Sequence, residues 1–400
     1  MKILFVNTLY APNIVGGAEI ILKSLAEGVA SRGHEVCVLT TCSEDGIHSE
    51  VVDGVNVIRV GIKNIYWTYK PGHKKVYQKL FWHLRDIYNN SMAKIVEKII
   101  LDFRPDIINT HNIVGFSSSI WPLIKKHKIP LVQVLHDQYA ICPNSNMFKN
   151  GNRCATQCAQ CKVFRLPHKE LSNNVDAVIG VSNFVLQHHL KNGLFRKAKI
   201  KIPIINAKSF NSIQLNAPVE NKKNIRFGYI GGLVPAKGVE ILLRTFSQLS
   251  EIKNISLVVA GSGEVDYVKK LEKYSCENIN FLGYASPDIF FKNIDVLIVP
   301  SLWNDTLPTV VFEAFVYGVP VIGSNRGGIP EMIKHGENGF LFDPDSSNDL
   351  KDLISEISRY PEKLQYMRGA VLNSSKRFLN VDAWVDEYID IFSKLAGDAA

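Results

Sequence analysis

The chain has no long hydrophobic run. No stretch approaches the roughly 18 consecutive apolar residues that a membrane-spanning helix needs. At the start only Ile3 to Val6 is apolar before Asn7, too short for the core of a secretory leader. The expectation is a cytoplasmic chain, at most peripheral on the inner face of the cell membrane. Cysteine is scarce, 7 in 400 residues, and the pattern is not that of a secreted disulfide framework. No Gly-x-Gly-x-x-Gly follows a strand, which argues against hydride transfer with a dinucleotide. Internal repeats and low-complexity linkers are lacking too. Acids are outnumbered, 38 against 46 bases, for a formal net charge of +8. That balance suits an anionic ligand or an anionic membrane surface. A nucleic-acid partner would show as a salt-sensitive complex and is not expected.

What is present is apolar residue in quantity, 46% of 400, enough for two or three cores. Short apolar runs alternate with helical patterns, the signature of an α/β chain. The most informative stretch runs from Pro300 to Glu331. An apolar run, Asp295 to Val299, reads as a strand stopped by Pro300. A loop then carries Asp305, and Thr309 to Val316 reads as a helix with Pro308 near its first turn and Thr306 or Thr309 as cap. Glu313 sits about two turns in. Free N–H groups at such a helix start suit a phosphate. A carboxylate accepts sugar hydroxyls well, so Asp305 and Glu313 beside an anion site fit a sugar joined to a phosphorylated ribose.

The first half opens with a βαβ pattern: Lys2 to Thr8, a turn through Gly16 and Gly17, a helix over Ile20 to Ser31, and Glu35 to Thr41. Gly16 and Gly17 lack a Cβ, so a diphosphate can approach their backbone. Two strands end at histidines, one at His111-Asn112 and one at His136-Asp137, where α/β sheets bind ligands. Between Lys63 and Arg85, bases (Lys63, Lys70, Lys74, Lys75, Lys79) interleave with aromatics (Tyr66, Trp67, Tyr69, Tyr77, Phe81, Trp82). This fits an anionic membrane or lipid-phosphate acceptor, single-stranded nucleic acid, or aromatics packing on a core. Cys142, Cys154, Cys158 and Cys161 are either ligands of a structural zinc or free thiols in a loop. A polar stretch, 209–223, reads as the interdomain linker.

The second half restarts the alternation. Asn224 to Ile230 is a strand, and Gly231 to Gly238 a glycine-rich loop bearing Lys237, a compact charge suited to phosphate oxygens. Another strand ends at Gly261-Ser262-Gly263-Glu264. Arg326 reads as a surface residue beside Gly327-Gly328. Trp384, Tyr388 and Phe392 recur every fourth residue on a last helix expected to pack across the domain junction.

Taken in order, Gly16-Gly17-Ala18-Glu19, Arg32-Gly33-His34-Glu35-Val36, His136-Asp137, Val181-Ser182, Lys237-Gly238, Gly261-Ser262-Gly263-Glu264 and Asp305 through Glu331 resemble the family 4 retaining glycosyltransferases of the GT-B fold. The resemblance implies two Rossmann-like, doubly wound domains facing across a cleft. An N-terminal acceptor domain (1–208) precedes a sugar-nucleotide domain (209–378), and a C-terminal helix (379–400) crosses back. It implies no catalytic metal and no required cofactor. Carried over, His136, Lys237, Asp305 and Glu313 are the catalytic set: Glu313 on the ribose, Asp305 on donor sugar hydroxyls, Lys237 on the diphosphate, and His136 beside the sugar. Gly16, Gly17, Gly232, Gly261, Gly263, Glu264, Leu307, Thr309 and Val310 complete the donor site. His111, Asn112, Asp137, Tyr66, Trp67, Lys74 and Lys75 are the acceptor candidates.

Two departures stand out. Asp305 replaces the family's glutamate, and Gly232 stands where the family usually has an arginine, five residues before Lys237; Arg326 or Arg226 is the candidate replacement. The expected activity is transfer of a hexose or N-acetylhexosamine from a UDP- or GDP-sugar to a glycan or lipid-linked oligosaccharide in bacterial surface polysaccharide assembly, as O-antigen, capsule or exopolysaccharide. The alternatives are a non-catalytic sugar-nucleotide-binding partner and a GT-B-type sugar-nucleotide epimerase.

Overall fold

The computed structural model describes residues 1–69, 72, 74–210 and 224–398, which fall into two compact units. Lys70 and residues 211–223, most of the expected linker, lie outside the described residues. In chain order the strands are β1 (Lys2–Val6), β2 (Glu35–Cys42), β3 (Ile47–Val52), β4 (Val55–Gly61), β5 (Ile107–Thr110), β6 (Leu131–Leu135), β7 (Phe148–Lys149) and β8 (Asn152–Arg153). They continue as β9 (Ala177–Gly180), β10 (Ile200–Pro203), β11 (Ile225–Ile230), β12 (Ile255–Ala260), β13 (Ile279–Gly283), β14 (Val296–Val299), β15 (Val321–Ser324) and β16 (Gly339–Phe342). The helices are α1 (Gly17–Ser31), α2 (Val76–Ile87), α3 (Asn90–Phe103), α4 (Ile120–Lys126), α5 (Ala159–Leu171) and α6 (Asn183–Lys191). After them come α7 (Val239–Gln248), α8 (Val265–Glu272), α9 (Pro287–Lys292), α10 (Thr309–Val316), α11 (Asp349–Arg359), α12 (Glu362–Leu379) and α13 (Val381–Gly397).

The first unit holds Met1–Met147, Ala155–Ser209 and Asn380–Ala400. Its sheet runs β10-β9-β6-β5-β1-β2-β4-β3. All pairs are parallel except β3 with β4. Parallel strands covered by helices must be apolar on both faces. Accordingly every residue of β5, β6 and β9 is buried, as are Ile3 to Val6 of β1. The exposed β3 caps the edge as the partner of β4.

The second unit holds Phe148–Cys154 and Phe210–Leu379. Its sheet is wholly parallel, in the order β13-β12-β11-β14-β15-β16. Counted from the first strand, that is the 3-2-1-4-5-6 winding of a doubly wound nucleotide-binding fold. The first unit repeats it as β4-β2-β1-β5-β6-β9, with β10 and β3 added at the edges.

Helix α13 follows the second unit in sequence yet packs in the first. Trp384, Tyr388 and Phe392 are at most 4% exposed, and Phe392 meets Phe5 of β1 at a ring distance of 6.3 Å. Burying each such side chain is worth about 2–3 kcal/mol. Helix α1 admits α13 closely because Gly28 has no side chain: a Cβ there would stand 2.6 Å from Val385 Cγ2. Arg32 adds ion pairs to Asp382 at 3.0 Å and Asp386 at 2.6 Å, whose partners are exposed. Exposed pairs give about 0–1 kcal/mol, so apolar packing is the main hold.

Candidate functional site

In the second unit, β11 and β14 are neighbours whose connections leave in opposite directions, to β12 and to β15. Their carboxyl ends form the switch point where such sheets bind ligands. The loop after β11 brings Lys237 there, and the loop after β14 brings Asp305. Lys237 Nζ donates to Asp305 Oδ2 at 2.6 Å, and Ser301 Oγ donates to the same oxygen at 3.2 Å. The side chain of Lys237 is 30% exposed and that of Asp305 only 6%, so the cation faces out and the carboxylate is set in the wall. Leu302 N bonds Ala236 O at 2.9 Å and zips the two loops. Gly238 makes that approach work: its φ is +74°, and a Cβ there would stand 1.8 Å from Pro300 O. From behind, Gly328 N donates to Asp305 O at 2.7 Å.

Helix α10 opens beside Asp305. Its N-cap is Pro308, extended at φ −66° and ψ 116°, and no side chain caps it. The expectation that Thr306 or Thr309 caps is corrected: Thr309 is already the first helical residue. The first N–H groups of α10, those of Thr309 and Val310, are therefore orphan donors of the kind that suit an anion. Glu313 lies in the next turn, 5% exposed, and Leu307 is 6% exposed. The glycine loop after β11 is laced to the end of β12 and the loop that follows it, Gly231 N to Ala260 O at 3.1 Å and Leu233 N to Ser262 O at 2.8 Å, and Gly261 N reaches Gly283 O of β13 at 2.7 Å. Gly263 and Glu264 are exposed, Glu264 as N-cap of α8.

At Gly232 nothing lies within 4 Å of where a Cβ would stand, so packing does not require glycine there. Both candidate replacement arginines are already paired in this structure. Arg326 is not a surface residue: it is 8% exposed and paired with Asp343 at 3.2 Å and Asp345 at 2.5 Å. Arg226 pairs with Asp295 at 3.4 Å. It stands second in β11, about 13 Å back along the strand from its carboxyl end at 3.3 Å per residue. Sequence reasoning missed Trp303. Its ring lies under Lys237 Nζ at 5.3 Å, and its Nε1 is buried without a partner among the described residues. Its place in the Pro300–Asp305 loop was the available signal.

In the first unit the corresponding switch point lies between β1 and β5. Asn112 is locked there through its backbone, N to Asn7 Oδ1 at 2.8 Å and O from Thr8 N at 2.8 Å. Behind it runs a chain whose tautomers can be worked out. Asn109 Nδ2 donates to Val132 O at 3.3 Å, so its Oδ1 is the acceptor for His111 Nε2 at 2.9 Å. His111 Nδ1 must then accept from His136 Nε2, 2.8 Å away. That leaves the lone pair of a neutral His136 on Nδ1. Burial holds His136 down to about 4 and His111 well below the usual histidine range, so both rings are neutral. His111 is 2% exposed with both nitrogens engaged, so it is placed to orient His136 rather than to meet an acceptor directly. Asp137 accepts from Tyr139 N at 2.7 Å, and burial pushes its carboxyl up to about 6.

Gly16 N donates to Glu19 Oε2 at 2.7 Å, so that amide already holds a carboxylate at the start of α1, which begins at Gly17. Trp67 Nε1 bonds Thr41 Oγ1 at 3.1 Å, and Lys74 Nζ lies 5.3 Å from the Tyr66 ring centroid. Lys75 is the N-cap of α2. Of the cysteines, the Cys142 and Cys161 sulfurs are 3.8 Å apart and Cys158 also bonds Cys161. All four are free thiols, and among the described residues no three His, Cys, Asp or Glu side chains form a metal-holding group.

Two family models match, "Glycosyltransferase Family 4" over residues 15–202 and "Glycosyl transferases group 1" over 212–371. The chain is 31% identical to an uncharacterized 42.6 kDa protein in the cps region of Klebsiella pneumoniae, over 98% of this chain and 100% of that one. In structure it is similar to sucrose-phosphate synthase from Thermosynechococcus elongatus (TM-score 0.78, 17% identity, 99% of each chain). It is also similar to HepE from Anabaena in complex with UDP and glucose (TM-score 0.70, 20% identity, 98% and 99% of the chains). Two sheets wound alike, each answering to its own glycosyltransferase model, leave one assignment: the chain belongs to glycosyltransferase family 4 and has the GT-B fold.

Proposed function

We propose that this glycosyltransferase moves a hexose or N-acetylhexosamine, with retention, from a UDP- or GDP-sugar to a glycan or lipid-linked oligosaccharide at the inner face of the membrane, in surface polysaccharide assembly. The observation that carries the donor reading is the Lys237–Asp305 pair at the switch point, beside the uncapped start of α10. A cation and orphan N–H groups suit a diphosphate, and buried acids suit sugar and ribose hydroxyls. The relative in a cps region and the neighbour that binds UDP and glucose support the choice of polymer and nucleotide.

In this reading Lys237 moves from Asp305 towards the diphosphate, helped by the N–H groups of Thr309 and Val310. Asp305 takes sugar hydroxyls, Glu313 the ribose, and the second-unit loops at Gly232, Gly261, Gly263 and Glu264 hold the rest of the donor, with Gly17 as the first unit's donor contact. His136, oriented by His111, lies beside the transferred sugar. The acceptor is met by first-unit residues at Asn112, Asp137, Tyr66, Trp67, Lys74 and Lys75. The bond from the sugar C1 to phosphate breaks while the acceptor oxygen bonds C1 on the same face. The departing phosphate oxygen takes the acceptor proton, and positive groups of the chain stabilise the charge that develops. No resident cofactor is used; a zinc ion at Cys142, Cys154, Cys158 and Cys161 would only stiffen a loop. The test is a thermal-shift screen against UDP-, GDP- and ADP-sugars, followed by NMR of the donor with and without acceptor. Transfer with unchanged anomeric configuration supports the proposal. Turnover of donor alone to an epimer, or binding with no turnover, replaces it by one of the two alternatives.

A further inference from the structure

The outward face of α2 is apolar. Val76, Tyr77, Leu80, Phe81 and Leu84 recur at i, i+1, i+4, i+5 and i+8, one continuous helical stripe, and each is 46–85% exposed. Soluble helices turn such a stripe inward. Here the inward side is fixed by other residues. Trp82 is 2% exposed and its Nε1 donates to Tyr66 O at 2.9 Å. Asp86, fully buried, accepts from Gly115 N at 2.7 Å and Tyr139 OH at 2.8 Å and faces the Arg165 guanidinium of α5 at 3.7 Å. His83 meets Phe164 of α5 at a ring distance of 6.3 Å. Rolling α2 to hide its stripe would expose Trp82 and break a buried ion pair, so the stripe stays out. Helix α5 extends the same kind of surface, with Val163 71% and Leu166 69% exposed.

Charge selects the occupant. Exposed Lys75, Lys79, Arg85, Lys162 and Lys169 belong to these two helices or their caps, and Glu170 is the exposed acid on them; Asp86 is buried. A second copy would set bases against bases. An apolar stripe flanked by lysine and arginine is the pattern that lies in the headgroup boundary of an anionic bilayer.

We infer that the α2–α5 face docks the chain on a membrane surface bearing anionic lipid, with the α2 stripe inserted and the flanking bases on headgroup phosphates. This deepens the membrane side of the proposed function, but it needs neither donor nor transfer. The test uses the full chain and sedimentation with vesicles of phosphatidylcholine alone or mixed with phosphatidylglycerol. Binding to the mixed vesicles should exceed that to phosphatidylcholine by at least about tenfold and weaken with salt. The Leu80→Glu/Phe81→Glu variant should lose at least about tenfold in binding. Its melting temperature and UDP response should stay as in the parent. Lys79→Gln/Arg85→Gln should lose the salt-sensitive part, and Tyr284→Glu, an exposed aromatic in the second unit, should change nothing. Equal binding by the parent and the Leu80/Phe81 variant overturns the inference. So does a parent that ignores vesicles and instead self-associates until those two residues are changed. Vesicle docking without any UDP response would fault the donor reading and leave this one standing.

Discussion

Replacing Lys237 by alanine separates two roles that its ion pair joins. In the structure Nζ holds Asp305 Oδ2 at 2.6 Å, with the lysine side chain 30% exposed and the aspartate 6%. Removing one partner of a fully buried pair costs about 3–5 kcal/mol. The exposure of Lys237 and the bond that Ser301 keeps to Asp305 reduce the expected loss to about 1–2 kcal/mol of unfolding free energy. The rate should fall further than stability explains, by about 100-fold or ~2.7 kcal/mol, because a cation beside a developing diphosphate charge is lost. Adding Asp305→Asn tells the two effects apart. The double variant no longer carries an unpaired carboxylate, so denaturant unfolding should show most of the stability restored. Its kcat should stay at or below that of the single variant, since the new side-chain amide has no cation to offer. A Lys237→Ala protein that keeps near-parental kcat well below its melting temperature refutes the assignment. So does a double variant whose rate recovers together with its stability.

Glu313→Ala should weaken UDP or GDP binding about tenfold by calorimetry while melting changes little; unchanged affinity would contradict a ribose contact. Gly232→Arg should strengthen nucleotide binding by about tenfold, a charge-assisted bond's worth, because the position has room for a side chain; weaker binding would mean the loop needs glycine after all. His111→Ala removes the acceptor for His136 Nε2 and should lower kcat about tenfold with the donor KM little moved, an orientation effect rather than a binding one. First-unit stability should fall as pH drops from 6.5 towards 4. Burial holds His136 and His189 down to about 4 and His111 and His168 well below their ordinary value, so the unfolded chain takes up protons that the folded one refuses. Asp86 and Asp137, pushed up to about 6, oppose this by taking up protons in the folded state below that pH. With four histidines against two acids the melting temperature should drop between pH 7 and pH 5, and a flat or rising profile would refute the balance.

The sequence by itself determined the repeating strand–helix alternation, both glycine-loop crossings and the span of α10, expected and found at Thr309 to Val316. These are legible because they rest on local chemistry: apolar period, proline and glycine as breaks, and carboxylates at fixed offsets along one loop. The stripe of α2 was legible as composition, basic and aromatic, but not as orientation. Only the tertiary structure decided that it faces outward, because Trp82 and Asp86 find their partners at Tyr66, Gly115, Tyr139 and Arg165. Likewise only the fold buried Arg326 and paired it with Asp343 and Asp345. It also set His111 behind His136 and joined Lys237 to an aspartate 68 residues away. Such pairings depend on which strands become neighbours, and strand order is fixed by the packing of the whole sheet, which no local pattern contains.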